Sequence, residues 1–79
     1  MKAKVYITPK AGILDPQGLT IERSLPALGF EGVSNVRVGK YIELELPDGE
    51  AAGAAVGEMC HKLLANQIIE DFEFELVTD

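Results

Sequence analysis

Between Asn35 and Leu46 the apolar residues Val36, Val38, Ile42, Leu44 and Leu46 all fall on even positions, and Lys40 is the one interruption. Period-two spacing of this kind marks β structure with one buried face. Twelve residues of strand would reach about 40 Å at roughly 3.3 Å each. A compact chain of 79 residues has a radius of gyration near ~12 Å and a diameter of about 30 Å. A continuous strand here therefore protrudes and needs something to pair with. A two-residue hairpin at Gly39-Lys40 would pair 38 with 41 and put Tyr41, Glu43 and Glu45 beside the valines. A three-residue loop at Gly39–Tyr41 would pair 38 with 42 and keep the parity. The pattern admits one long strand or that split form.

The neighbouring segments supply the other elements. Ala3, Val5 and Ile7 alternate with Lys4, Tyr6 and Thr8, which predicts a half-buried strand ended by Pro9. Residues 9–14 read as a loop containing Gly12. Asp15-Pro16 reads as an N-cap followed by proline at the first helical position. Ile21, Leu25 and Leu28 then make one apolar helix face, and Gly29 is a stop signal. Pro26 should kink or tighten the last turn. Asp48 is expected to cap a second helix, with Ala52, Ala55, Val56, Met59, Cys60 and Leu63 as its apolar stripe and Asn66 as a left-handed C-cap. Phe72, Phe74 and Leu76 alternate with Asp71, Glu73 and Glu75, a strand with one acidic face. The order β-α-β(long or split)-α-β predicts an α+β fold, two helices on an antiparallel sheet, a ferredoxin-like variant over a single domain of residues 1–79.

Charge restricts what such a domain does. The net charge is −6, which argues against nucleic-acid binding, because phosphate contact needs a basic surface. Residues 1–40 sum to +3 and residues 41–79 to −9. That asymmetry is either two solvated faces or a means of orienting a partner or a second copy. No uncharged run exceeds seven residues, so no membrane span is expected. The lone Cys60 excludes an internal disulfide, no secretory leader is visible, and a reducing, cytoplasmic setting is expected.

The motifs of chemistry are missing. Cys60 and His61 are adjacent and point about 100° apart on a helix, so they cannot act as a nucleophile and its base. Cys60 reads as a small core residue and His61 as a helix-end surface residue. One histidine and one cysteine do not make a zinc site. Asp71, Glu73 and Glu75 share a strand face, the usual place for solvated carboxylates. The glycines form no phosphate-binding loop. No catalytic, metal or cofactor-binding residue is therefore assigned.

Four segments together are more specific than any one alone. They are Pro9-Lys10 to Gly12-Ile13-Leu14-Asp15-Pro16-Gln17-Gly18, Leu28-Gly29, Val36-Arg37-Val38-Gly39-Lys40, and Cys60-His61-Lys62-Leu63-Leu64-Ala65-Asn66 to Ile69-Glu70-Asp71-Phe72. In that order and spacing the chain resembles the PurS family, the small subunit of formylglycinamidine ribonucleotide synthetase. The match spans essentially the whole chain. Gln67, where the family usually has proline, and Pro26 depart from it.

The resemblance implies a non-catalytic adaptor in de novo purine biosynthesis. It implies that the chain forms a dimer or tetramer through its sheets and bridges a glutaminase subunit and a synthetase subunit. That complex uses ATP, Mg and glutamine to deliver ammonia to formylglycinamide ribonucleotide; the chain itself binds no cofactor. The competing reading is a small-molecule-binding regulatory module on a ferredoxin-like fold, with Gly12 and Lys10 the only candidate site. The contact residues expected are Lys10, Asp15 and Gln17 at the first loop–helix junction, Arg37, Gly39 and Lys40 on the long strand, and Asn66 after the second helix. Asp15 is equally an N-cap, Gly39 a bend and Asn66 a C-cap. Lys40, the one charge on the apolar face, either reaches solvent at a bend or pairs with an acid across an interface.

Overall fold

The computed structural model describes residues 1–78. Strand β1 runs over Lys2–Pro9, helix α1 over Pro16–Ser24, β2 over Lys40–Glu45, α2 over Ala52–Met59 and β3 over Glu70–Val77. The three strands form one antiparallel sheet in the order β2-β1-β3. With two helices this is the expected α+β arrangement. The chain is long and thin, 49 × 29 × 14 Å.

β1 is central, and its inward residues Ala3, Val5 and Ile7 are fully buried. They are flanked by Ile42 and Leu44 of β2 and by Phe72 and Phe74 of β3, with Val56 of α2 and Cys60 just after it closing the face. On the outer face Lys4 lies between carboxylates of both neighbours, Glu43 on one side and Glu75 on the other, and Lys2 is opposite Glu45 of β2. Opposite charges across strands are favourable. Much of the charge asymmetry along the sequence is thus paired inside the sheet.

The even-position stripe is half sheet and half arm. Ile42 and Leu44 face the core as the parity requires, but the ladder starts only at Lys40, opposite Ile7. No hairpin forms at Gly39–Tyr41, and the strand has six residues rather than twelve. Residues 33–39 continue as an arm outside the sheet, because the amides of Val36 and Val38 donate to carboxylates of the α1 region instead of to another strand. Gly39 is not a left-handed bend; a Cβ there would overlap the Ile7 carbonyl oxygen. Glycine is needed for close approach rather than for turning.

The first helix begins and ends as its sequence dictates. Asp15 accepts from the Gly18 amide at 3.0 Å, Pro16 opens the helix, and Pro26 converts the end to a 3-10 turn over Pro26–Leu28. Gly29 closes it at φ 95°. The second helix departs from expectation in three places. Asp48 does not cap it: its carboxylate is 2.6 Å from the amino terminus, a charged donor that outcompetes the helix amides. The inward stripe is Ala52, Val56 and Cys60, with Gly53 and Gly57 beside Leu76 and Phe74; Met59 and Leu63 lie on the outside. A π turn over Cys60–Leu64 rephases the last residues. Asn66 is no left-handed cap, since the helix ends in extended backbone at Ala65. Its side chain accepts from the Ile68 amide at 3.0 Å and turns the chain into β3.

Candidate functional site

The residues singled out in the sequence gather around the end of β1. Lys10 leaves the strand with its amide on the Ile69 carbonyl and its ammonium 3.0 Å from Asp71. Arg37, on the arm, donates from Nη2 to the carbonyls of Pro9 at 3.2 Å and Lys10 at 3.0 Å. Its Nε lies 3.9 Å from Asp15 Oδ2. Lys40 is 3.5 Å from Glu70 of its own chain, and Glu70 also accepts the Asn66 amide at 2.8 Å. Two polar sets therefore lie at this end of the sheet, one joining Lys10, Arg37 and Asp15 and one joining Lys40 and Asn66 through Glu70, with Gly39 between Arg37 and Lys40 in the chain. Gln17 stands apart, exposed on α1 beside a shallow groove with Pro16, Thr20, Ile21 and Val38.

Asp15 does more than cap its helix. Its two oxygens take amides from Gly18 and, at 2.7 Å, from Val38. Those two bonds, with the Arg37 guanidinium behind them, hold its carboxyl below the usual range. Glu22 does the same for the arm one step further on, accepting the Val36 amide at 3.0 Å. Sequence reasoning passed over Glu22, Glu70 and Gly18. The signal for Gly18 was its place three residues after an N-cap; a Cβ there would overlap the Val36 carbonyl oxygen.

The remaining polar groups are arranged for structure. Burial pushes the Cys60 thiol up and leaves it protonated at neutral pH. His61 sets its ring edge-on to Phe72 at 5.2 Å. Lys10, His61, Glu70 and Asp71 border an open cleft of about 640 Å³, in which Lys10 is already matched by Asp71. Among the described residues no three acids, histidines or cysteines are placed to hold a metal, and no helix is long and apolar enough to cross a membrane. On the outer sheet face Tyr6 and Tyr41 pack at 5.2 Å. The Tyr6 phenol donates to Glu75 at 3.1 Å, which raises its pKa.

Several large apolar side chains are exposed, some after α2 (Leu63 and Ile68) and a group around α1. Leu14, Ile21, Leu28, Phe30 and Val33, all in or around α1, are 41–75% exposed. None of them enters the core cluster.

Residues 2–78 match the PurS family, phosphoribosylformylglycinamidine (FGAM) synthase. The chain is 45% identical over 75 residues to phosphoribosylformylglycinamidine synthase subunit PurS of Synechocystis, covering 92% of this chain and 75% of that protein. It is 42% identical to the Bacillus subtilis subunit PurS over 95% of this chain and 90% of that one. Crystalline B. subtilis PurS superposes with a TM-score of 0.83 at 43% identity, covering 94% of each chain. A chain in the structure of PurLQS from Thermotoga maritima superposes with a TM-score of 0.75 at 29% identity, covering 94% of this chain and 93% of that one.

Proposed function

The chain belongs to the PurS family of phosphoribosylformylglycinamidine synthase subunits, and on that premise we propose that it is the adaptor of that synthase in purine biosynthesis. It self-associates and holds a glutaminase subunit and a synthetase subunit in fixed relation, while ATP, Mg and glutamine are handled by those larger subunits. Ammonia then passes between two fixed active sites, so the adaptor contributes orientation rather than bond-making.

The shape of the chain carries this reading. Its radius of gyration is 16.0 Å, against about 12 Å for a compact chain of this length. Its accessible surface is 5700 Å², against about 4,650 Å² for a compact chain of this mass. The excess of about 1,000 Å² is comparable to the roughly 800 Å² that one partner contributes to a stable interface. The chain also exposes apolar side chains around α1 that its own core does not use. The relative in PurLQS supports membership in a three-component assembly.

Mixing the chain with glutaminase and synthetase subunits tests the reading. Glutamine-dependent FGAM formation should require all three, while the chain alone should release neither glutamate nor ADP. Sedimentation equilibrium should give more than 8.5 kDa at micromolar concentration. A monomer throughout, or full synthesis without the chain, would overturn it.

A further inference from the structure

α1 is joined to the rest of the molecule by polar contacts, and these form two sets. The first binds α1 to the arm. Asp15 takes the Val38 amide, Glu22 takes the Val36 amide, and Gly18 backs directly onto the Val36 carbonyl. The second joins that assembly to the sheet. The β1–β2 ladder ends at Ile7 and Lys40. Just beyond it, one guanidinium nitrogen of Arg37 holds the carbonyls of Pro9 and Lys10. Only two chain segments cross from one part to the other. One is the loop after Lys10, with Gly12 at φ 83°; the other is Gly39, pressed against Ile7.

We propose that α1 and residues 36–38 are one rigid outrigger, and that Arg37 is the latch fixing its angle to the sheet. Arg37 suits that role because it touches both parts: Nη2 grips the end of β1 while Nε faces Asp15 within the outrigger. A planar fork can hold two directions at once, which a single ammonium cannot. The latch sits at the pivot, so a small loosening there moves the far end of α1 most. That end carries Ile21, Leu28 and Phe30, the apolar residues offered to a partner. The inference rests on the adaptor reading: a subunit that sets the separation of two others needs a fixed angle between its docking face and its sheet.

Spin labels on Ser24→Cys and Glu73→Cys read that angle as a distance. Cys60 stays in place because it is buried. Labelled chain is diluted in unlabelled chain so that distances between copies are silent. The parent should give one narrow distance. Arg37→Ala should lose it to a broad distribution, while the Val36 and Val38 amides keep their protection from hydrogen exchange. Arg37→Lys should fall between the two. An unchanged distance in Arg37→Ala overturns the latch, and so does loss of amide protection at Val36 and Val38, which would mean that the outrigger is not a unit. If Arg37→Ala does not fold, Arg37→Lys against the parent decides by the same criterion. An unchanged distance in a chain that still assembles with the large subunits sinks the latch alone. A chain that never joins those subunits, whatever its distances, sinks the adaptor reading.

Discussion

Val56 of α2 and Cys60 just after it are fully buried, whereas Ile21 of α1 is 43% exposed and Leu28 just after that helix 71%. Both helices carry an apolar face, yet only one has found a core. The β1–β3–α2 side is held by burial of Ala3, Val5, Ile7, Val56 and Cys60, a force proportional to area and indifferent to pH. The α1 side is held by carboxylates and a guanidinium on backbone groups, which are directional and titratable. The first side makes the chain fold. The second fixes the placement of a helix whose apolar side chains stay outside the core.

Substitutions in the two regions should therefore differ most in what they cost. Ile7→Ala removes a side chain that is 1% exposed at the centre of the sheet, and should cost about 2–5 kcal/mol. Ile21→Ala, on the exposed helix, should change unfolding of the isolated chain by only about 0.5 kcal/mol while weakening assembly with the large subunits. Urea midpoints, and sedimentation with those subunits, on both variants check this. Equal loss of stability in the two would mean that α1 shares the core after all.

The glycines sharpen the same boundary. Gly39 and Gly18 each leave no room for a Cβ, the first against Ile7 of the sheet and the second against Val36 of the arm. Forcing backbone apart costs about 1–3 kcal/mol by the measure of overpacked sites. Gly39→Ala, which disturbs the sheet, should appear in the urea midpoint. Gly18→Ala should appear chiefly as faster amide exchange at Val36 and Val38. If both act equally on the midpoint, the arm unfolds with the sheet as one unit.

What the sequence disclosed follows this division. Strand periodicity at Ala3–Ile7 and Phe72–Leu76 and the punctuation at Asp15-Pro16, Pro26 and Gly29 are local, and the structure keeps all of them. Residues whose partner is remote in sequence were misread. Asp48 looked like a cap and is held by the amino terminus. Gly39 looked like a bend and is a contact with Ile7. The parity of Val36 and Val38 was real, but periodicity cannot say whether an extended segment's amides meet a strand or a carboxylate. Of the candidate site, Lys10, Arg37 and Lys40 are legible as contact residues through the resemblance; their partners Asp71, the β1 carbonyls and Glu70 depend on the fold.

The smallest expected effect on global stability, and the most selective, comes from acid. The Asp15 carboxyl is lowered first by the Gly18 amide and then by the Val38 amide, with Arg37 adding to both. A carboxyl with a lowered pKa in the folded chain binds its proton less readily there than in the unfolded one. Its contribution is therefore fully present above the ordinary aspartate pKa of about 3.9, and is lost as pH falls below that toward the folded value. The core between the sheet and α2 has no buried charged or polar side chain among the described residues, so the burial that holds it contains no titrating carboxylate, and the sheet's carboxylates lie outside that core. Between neutral pH and about 4 the exchange of the Val38 amide should be flat once the intrinsic rate is removed. Below that it should rise ahead of the amides of β1. Asp15→Asn should remove the step: asparagine keeps only one of the two acceptors and does not titrate, so whatever protection the Val38 amide retains is the same at every pH. A Val38 amide that opens together with β1 at every pH would show one cooperative unit where the contacts describe two.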